Sequence, residues 1–174
     1  MTETRRRIVD AVRETPGIHF NAIVRSLDLA TGQVQYHVKK LLAEESIQAT
    51  ELYGRTHYFP EGFDDAEQRT VALLRRETTR EIVAYLFDHE GARPGDIADA
   101  VGVARSTVEW HLDRLIEQDL LYKRREGSNR VTLELRHPEA TAALLSEVDP
   151  GLLDTMLSGY ERLLDDVFYE DRDE

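Results

Sequence analysis

No cysteine occurs in the 174 residues. That absence excludes disulfides, thiolate nucleophiles, cysteine-ligated zinc and thiol-based redox sensing together. Histidine alone would have to hold a metal, and the six histidines (19, 37, 57, 89, 111 and 137) never fall two to a helical turn as a ligand pair requires. Long apolar runs are lacking as well, and the basic start "TETRRRIVDAVRE" passes into an amphipathic pattern rather than an unbroken apolar stretch. A cytoplasmic protein with no membrane segment is expected. Glycine-rich phosphate loops are missing, since "GARPG" and "EGSNR" match neither nucleotide-binding fingerprint. No serine or acid stands at a local spacing that would make a histidine a general base. The expectation is a protein that is not an enzyme and needs no metal or other cofactor.

Basic residues are in deficit, with a net charge of −12, but the deficit is not spread evenly. Residues 1–60 hold 8 basic and 7 acidic side chains, and residues 67–137 hold 12 and 13. The acid sits in Glu61, Asp64 and Asp65 and in residues 138–174, which carry 11 acidic against 2 basic groups. An acidic tail that points away from a polyanion leaves nucleic-acid binding open, so the total charge decides nothing.

Aromatic residues are scarce at 7 %, yet "QVQYHVKKLL" (33–42) places Tyr36 and His37 inside an apolar helical pattern, and "TVEWHLDRLI" (107–116) does the same with Trp110 and His111. A shift of 74 positions brings the two stretches into register without a gap. Ile23 then meets Ile97, Leu27 Val101, Leu29 Val103, Val34 Val108, Leu41 Leu115 and Ile47 Leu121. The chain is an internal repeat, and its length suits two small domains.

Apolar spacing predicts a first helix over about 4–14, stopped by "ETPG", a short helix over 20–26, and a longer one over 31–44. "SIQATELYGRTHYF" then alternates and reads as two strands around Tyr53-Gly54-Arg55. Asp64 or Asp65 can cap a helix over about 66–77 that would connect the units. The second copy repeats the order, with Pro94 in the first turn of its second helix and Gly127-Ser128-Asn129 as its hairpin turn. The expected fold is mainly α with small β-hairpin wings: two tandem winged helix-turn-helix domains, 1–60 and 79–137, a linker and connecting helix over 61–78, and C-terminal helices over 138–174 ending in an acidic tail. In the last helix Leu153, Met156, Tyr160, Leu163 and Val167 recur at steps of 3 and 4, widened by Leu157 and Leu164. So broad an apolar face needs cover, from the rest of the chain or from a second copy in a homodimer.

On the third helix of each copy Val34, Val38 and Leu41 share one side, while Gly32, Gln33, Tyr36, Lys39, Lys40 and Ala43 point away; the matching outward set is Ser106, Thr107, Trp110, Asp113, Arg114 and Glu117. Tyr and Trp at matched outward positions suit a contact surface or packing on a neighbouring domain. His37 and His111 lie on the border, where a half-buried imidazole bonded to the preceding turn or a loop carbonyl is expected. Residues 30–44 sum to +1 and 104–118 to −1, and the second hairpin is the more basic by two, so charge does not choose between the copies.

"ARSTVEWHLDRLIEQDLLYKRREGSNRVTLEL" resembles the recognition helix and wing of ArsR- and MarR-type regulators, and "TGQVQYHVKKLLAEESI" is a more divergent form of the same motif. Tandem copies, with 19 Arg against 3 Lys and an acidic terminus, are similar to haloarchaeal double winged-helix transcriptional regulators. The resemblance implies binding to double-stranded DNA, each third helix (31–44 and 105–118) in a major groove and each wing on backbone or minor groove. It carries base-edge roles onto Thr31, Gln33, Gln35 and Tyr36 and onto Arg105, Ser106, Thr107 and Glu109, with Trp110 beside them. Lys39, Lys40, Arg55 and Arg114, with the wing residues Lys123, Arg124, Arg125 and Arg130, become phosphate or minor-groove contacts. The alternative is a tandem winged-helix scaffold for protein interactions, resembling ScpB-type condensin accessory proteins or transcription-machinery subunits. No residue pattern demands a small-molecule effector or a transcription-machinery partner, and neither is assigned.

Overall fold

The computed structural model describes residues 1–127 and 129–151. Among them, eight helices and four strands fall into two units, Met1–Arg75 and a second beginning at Arg76. The fold is mainly helical with two small antiparallel hairpins, as the repeat implied. No helix among the described residues is long and apolar enough to cross a membrane.

In the first unit, α1 (Glu3–Glu14) opens on Thr2, whose hydroxyl accepts a hydrogen bond from the Arg5 N–H. The helix α2 (Phe20–Leu27) closes on Asp28, which takes a left-handed conformation (φ 50°), and α3 (Thr31–Ala43) follows. Asp tolerates that conformation better than most residues, and the second copy has Gly102 (φ 76°) at the equivalent place. Strands β1 (Gln48–Leu52) and β2 (Arg55–Phe59) pair with Leu52 opposite Arg55. Tyr53 and Gly54, at φ 52° and 78°, therefore form a two-residue turn whose positive φ values match the twist of the strands. A one-residue bridge from Ile18 to Tyr58 adds the trace of a third strand, too short to leave an alternating pattern in the sequence. Ile8, Val12, Ile23, Val34 and Leu41 are fully buried at the centre.

The segment expected to link the units, 61–78, divides between them. Helix α4 (Asp65–Leu74) starts in a reciprocal capping box, with Asp64 accepting from the Glu67 N–H and Glu67 accepting from the Asp64 N–H. It is fastened to the first hairpin through buried Gln68, which accepts from the Thr50 hydroxyl (2.7 Å) and donates to the Gln48 side-chain oxygen (2.9 Å). The Arg75 guanidinium then donates to the Pro16 carbonyl at 2.8 and 2.9 Å. Gly17 sits beneath this helix at φ 78°, where an added Cβ would lie 2.9 Å from Val71 Cγ1 and 3.3 Å from the Phe59 ring.

The second unit repeats the order in α5 (Glu77–Asp88), α6 (Pro94–Val101), α7 (Arg105–Glu117), β3 (Leu121–Glu126) and β4 (Arg130–Leu135), and adds α8 (Pro138–Val148). Proline stands in the first turn of both α6 and α8, where its missing N–H is no loss. Ile82, Val83, Ile97, Val108, Leu115, Leu121 and Leu133 fill the centre, and Ala92 bridges Leu133 as Ile18 bridges Tyr58. Helix α8 buries Thr141, Leu145 and Val148, and Arg80 on α5 pairs with Asp149 at 3.2 Å. The apolar seam from Leu153 to Val167 lies outside the described residues.

Gly17→Ala and Gly54→Ala separate backbone strain from packing. Both force alanine to positive φ, at about 1–2 kcal/mol, but only the first also drives a methyl into Val71, which adds about 1–3 kcal/mol. Denaturant titration is expected to show a clearly larger loss for Gly17→Ala. Equal losses would contradict the placement of α4.

Candidate nucleic-acid interface

Helix α3 is fixed by one stripe. Val34, Val38 and Leu41 are buried, and at 3.6 residues per turn that places Thr31, Gly32, Gln33, Gln35, Tyr36, Lys39 and Lys40 in solvent. Tyr36 is 57 % exposed, an unusual state for so large a ring, and the Lys40 ammonium lies 5.8 Å from its centroid. Neither Lys39 nor Lys40, nor Arg55 on the exposed wing, has a carboxylate within 4 Å among the described residues. The nearby acid Glu44 is instead engaged by Arg5 of α1 at 2.9 Å. What remains outward is an amide-rich face with two unneutralised cations.

The start of the helix is open in the same sense. Its N-cap is Ala30, which offers no side-chain hydrogen bond, and no acid occupies the first turn. The N-cap of α7 is Ala104, with the same two features. By contrast α1 and α4 are capped by Thr2 and Asp64 and carry acids in their first turns. An uncapped N-terminus leaves backbone N–H groups and the positive end of the helix dipole available to an anion. Gly32, with nothing within 4 Å of where a Cβ would stand, leaves room for a backbone to approach.

Helix α7 is anchored the same way, through Val108, Leu112 and Leu115, but its outward face differs. Arg105, Ser106, Thr107 and Glu109 are exposed, and Arg105 is bound to Glu109 at 3.1 Å. Arg114 is bound to Glu117, and Lys123 on β3 reaches Asp113 at 3.6 Å. Trp110 does not share the open position of Tyr36: it is half-buried, with the guanidinium carbons of Arg76 and Arg114 5.2 and 5.4 Å from its ring centroid. On the wing, Arg124 donates to Glu134 at 3.2 Å and lies near Glu126, whereas Arg125 and Arg130 are exposed with no carboxylate partner among the described residues.

The two matched histidines also part company. His111 is buried, and its Nδ1 shares a 2.8 Å hydrogen bond with the Thr79 hydroxyl, a partner 32 residues away rather than a local carbonyl. His37 is half-buried, and its Nδ1 has no hydrogen-bond partner; the position matching Thr79 is Arg5. Burial first, and then the Arg76 guanidinium, hold the His111 imidazole below its ordinary value.

A further polar feature has no local sequence signal. An open cavity of about 610 Å³ on the second hairpin is lined by Glu90, Arg93, Arg124, Arg130, Thr132 and Glu134. The Tyr122 hydroxyl and then Arg124 donate to Glu134 and hold its carboxyl below the usual range. The matching positions in the first unit, His57 and Phe59, are buried. No group of three or more His, Cys, Asp or Glu able to hold a metal occurs among the described residues.

Two outcomes are expected. In the mildly acidic range the folded chain binds fewer protons at His111 than the unfolded chain does, so stability should fall as pH drops below about 6.5. His111→Gln should flatten that limb in denaturation curves taken between pH 7.5 and 5; an unchanged limb would contradict a buried neutral imidazole. Ala30→Asp supplies the absent cap and should raise stability by about 0.5–2 kcal/mol while weakening duplex DNA binding through charge repulsion. Unchanged DNA affinity in that variant would show that anions do not meet this end of α3.

A family model described as an N-terminal HTH domain matches residues 2–71, and one described as winged helix-turn-helix DNA-binding matches residues 75–122. No curated protein matches the chain. Among solved structures, the DIP2311 protein from Corynebacterium diphtheriae is similar over 76 % of this chain at 13 % identity and a TM-score of 0.32. The chain spans 26 % of the length of that protein. Two helix-turn-helix domains thus lie in tandem here, the second of the winged DNA-binding type, and DNA binding is the activity that they indicate.

Proposed function

We propose that the protein is a transcriptional regulator that reads specific sequences in double-stranded DNA. The observation that carries this reading is the outward face of α3, where Gln33, Gln35 and the 57 % exposed Tyr36 stand beside Lys39 and Lys40, which have no carboxylate within 4 Å among the described residues. Glutamine presents a donor and an acceptor that match the major-groove edge of adenine, and each such bidentate pair discriminates by about 1–3 kcal/mol. The lysines and Arg55 fix the register on phosphate. A scaffold for protein partners would favour an apolar groove on this surface instead of amides and free cations. The apolar seam in the sequence beyond residue 151 suits a homodimer, an arrangement that matches two half-sites in one operator.

Selection from a random duplex library at several salt concentrations tests the reading. A single enriched motif is expected, with affinity falling steeply as salt rises because bound counterions are released from phosphate. Recovery of all sequences alike would overturn sequence-specific reading, and no retention at any salt would transfer the protein to the scaffold class.

A further inference from the structure

We infer that the two repeats divide the labour: the first unit reads base edges through α3, and the second takes no base contact, adding only phosphate contacts from Arg125 and Arg130 of its wing. This rests on the DNA-binding reading above and goes beyond it, since the sequence sums give each copy the same helix-plus-wing charge. The structure breaks the tie through where the charges are spent. In the first unit Glu44, at the end of α3, is drawn off by Arg5 of α1, and Lys39, Lys40 and Arg55 have no carboxylate within 4 Å among the described residues. In the second unit both arginines of α7 are clasped by acids on the same helix, Arg105 by Glu109 and Arg114 by Glu117, and Lys123 of the wing is drawn to Asp113.

That clasping works against groove entry in two ways. An arginine that turns to a guanine or a phosphate must leave its carboxylate, and the carboxylate released then faces the phosphates with like charge. Asp113 and Glu117 are exposed on the side of α7 that would enter the groove. The aromatic positions agree with the charges. Tyr36 stands open, whereas Trp110 is half-buried with two guanidinium groups near its ring, so it is already engaged. Gly32 leaves space for a close backbone approach at the start of α3, and its counterpart in α7 is Ser106, which carries a side chain.

Fluorescence anisotropy on the full chain, with the selected duplex and a scrambled duplex of the same length, tests the division. All substituted side chains are exposed, and circular dichroism with thermal melting checks that each variant keeps the fold. Gln33→Ala with Gln35→Ala should reduce the ratio of selected to scrambled affinity at least tenfold. Arg105→Ala with Thr107→Ala should leave that ratio within twofold. Arg125→Ala with Arg130→Ala should weaken both duplexes equally and lower the slope of log affinity against log salt by about 2. Glu109→Gln with Glu117→Gln, which frees Arg105 and Arg114, should strengthen the scrambled duplex and steepen the slope. Loss of the affinity ratio in the second-unit helix variant, alone or to the same extent as in the first-unit variant, overturns the division while leaving DNA reading intact. Failure of the parent chain to prefer any duplex overturns the reading itself, and the division with it.

Discussion

The burial of one stripe on each third helix is the constraint from which the rest follows. Val34, Val38 and Leu41 in α3, and Val108, Leu112 and Leu115 in α7, are held in the two cores with almost no exposure. A fully buried side chain of this size contributes about 1.5–3 kcal/mol. Three of them along one helix fix its rotation, and a rigid 3.6-residue period then dictates which residues look outward. The core therefore determines the direction of the outward face, and the residues on it are free to vary in chemistry at little cost to the fold. Two copies could in this way keep one architecture and acquire different surfaces.

The divergence follows that logic. The outward face of the first copy carries amides and lysines around Tyr36, with Glu44 drawn off to α1. That of the second carries ion pairs that close on themselves. Exposed pairs of this kind add only about 0–1 kcal/mol to stability. The hairpins diverge in parallel. In the first unit the strand β2 buries His57 and Phe59, and Gly17 packs closely against Phe59 and Val71 of α4. At the matching positions the second unit has Thr132 and Glu134, which border an open polar cavity. The helix that follows the first hairpin is thus a structural part of its own unit, tied in by Gln68 and Arg75.

Most of the architecture was legible in the chain because periodicity is a local signal. The 74-residue offset set the equivalence of the copies, and the Val34–Val38–Leu41 spacing gave the outward face of α3 correctly. Asp64 as a cap and Pro94 in a first turn were equally local, and both stand where residue type placed them. What could not be read was the outcome of contacts between distant residues. The pairing of Arg5 with Glu44, 39 residues apart, neutralises one acid beside the α3 face, and no segment sum includes it. The bond from Thr79 to His111 and the closeness of Arg76 to Trp110 are of the same kind, which is why an exposed tryptophan and a locally bonded histidine were expected where neither occurs. The helix over 65–74 was recognised as a helix, but its allegiance to the first unit depends on Gln68, a polar residue that periodicity does not mark as buried.

Photo-cross-linking to a duplex carrying 5-bromouracil within the selected motif, followed by mass identification of the attached peptide, measures most directly whether the outward side of α3 meets bases. Attachment within residues 31–40, centred on Tyr36, is expected. Attachment confined to residues 105–117, or to the faces of α1 and α4, would contradict base contact through α3.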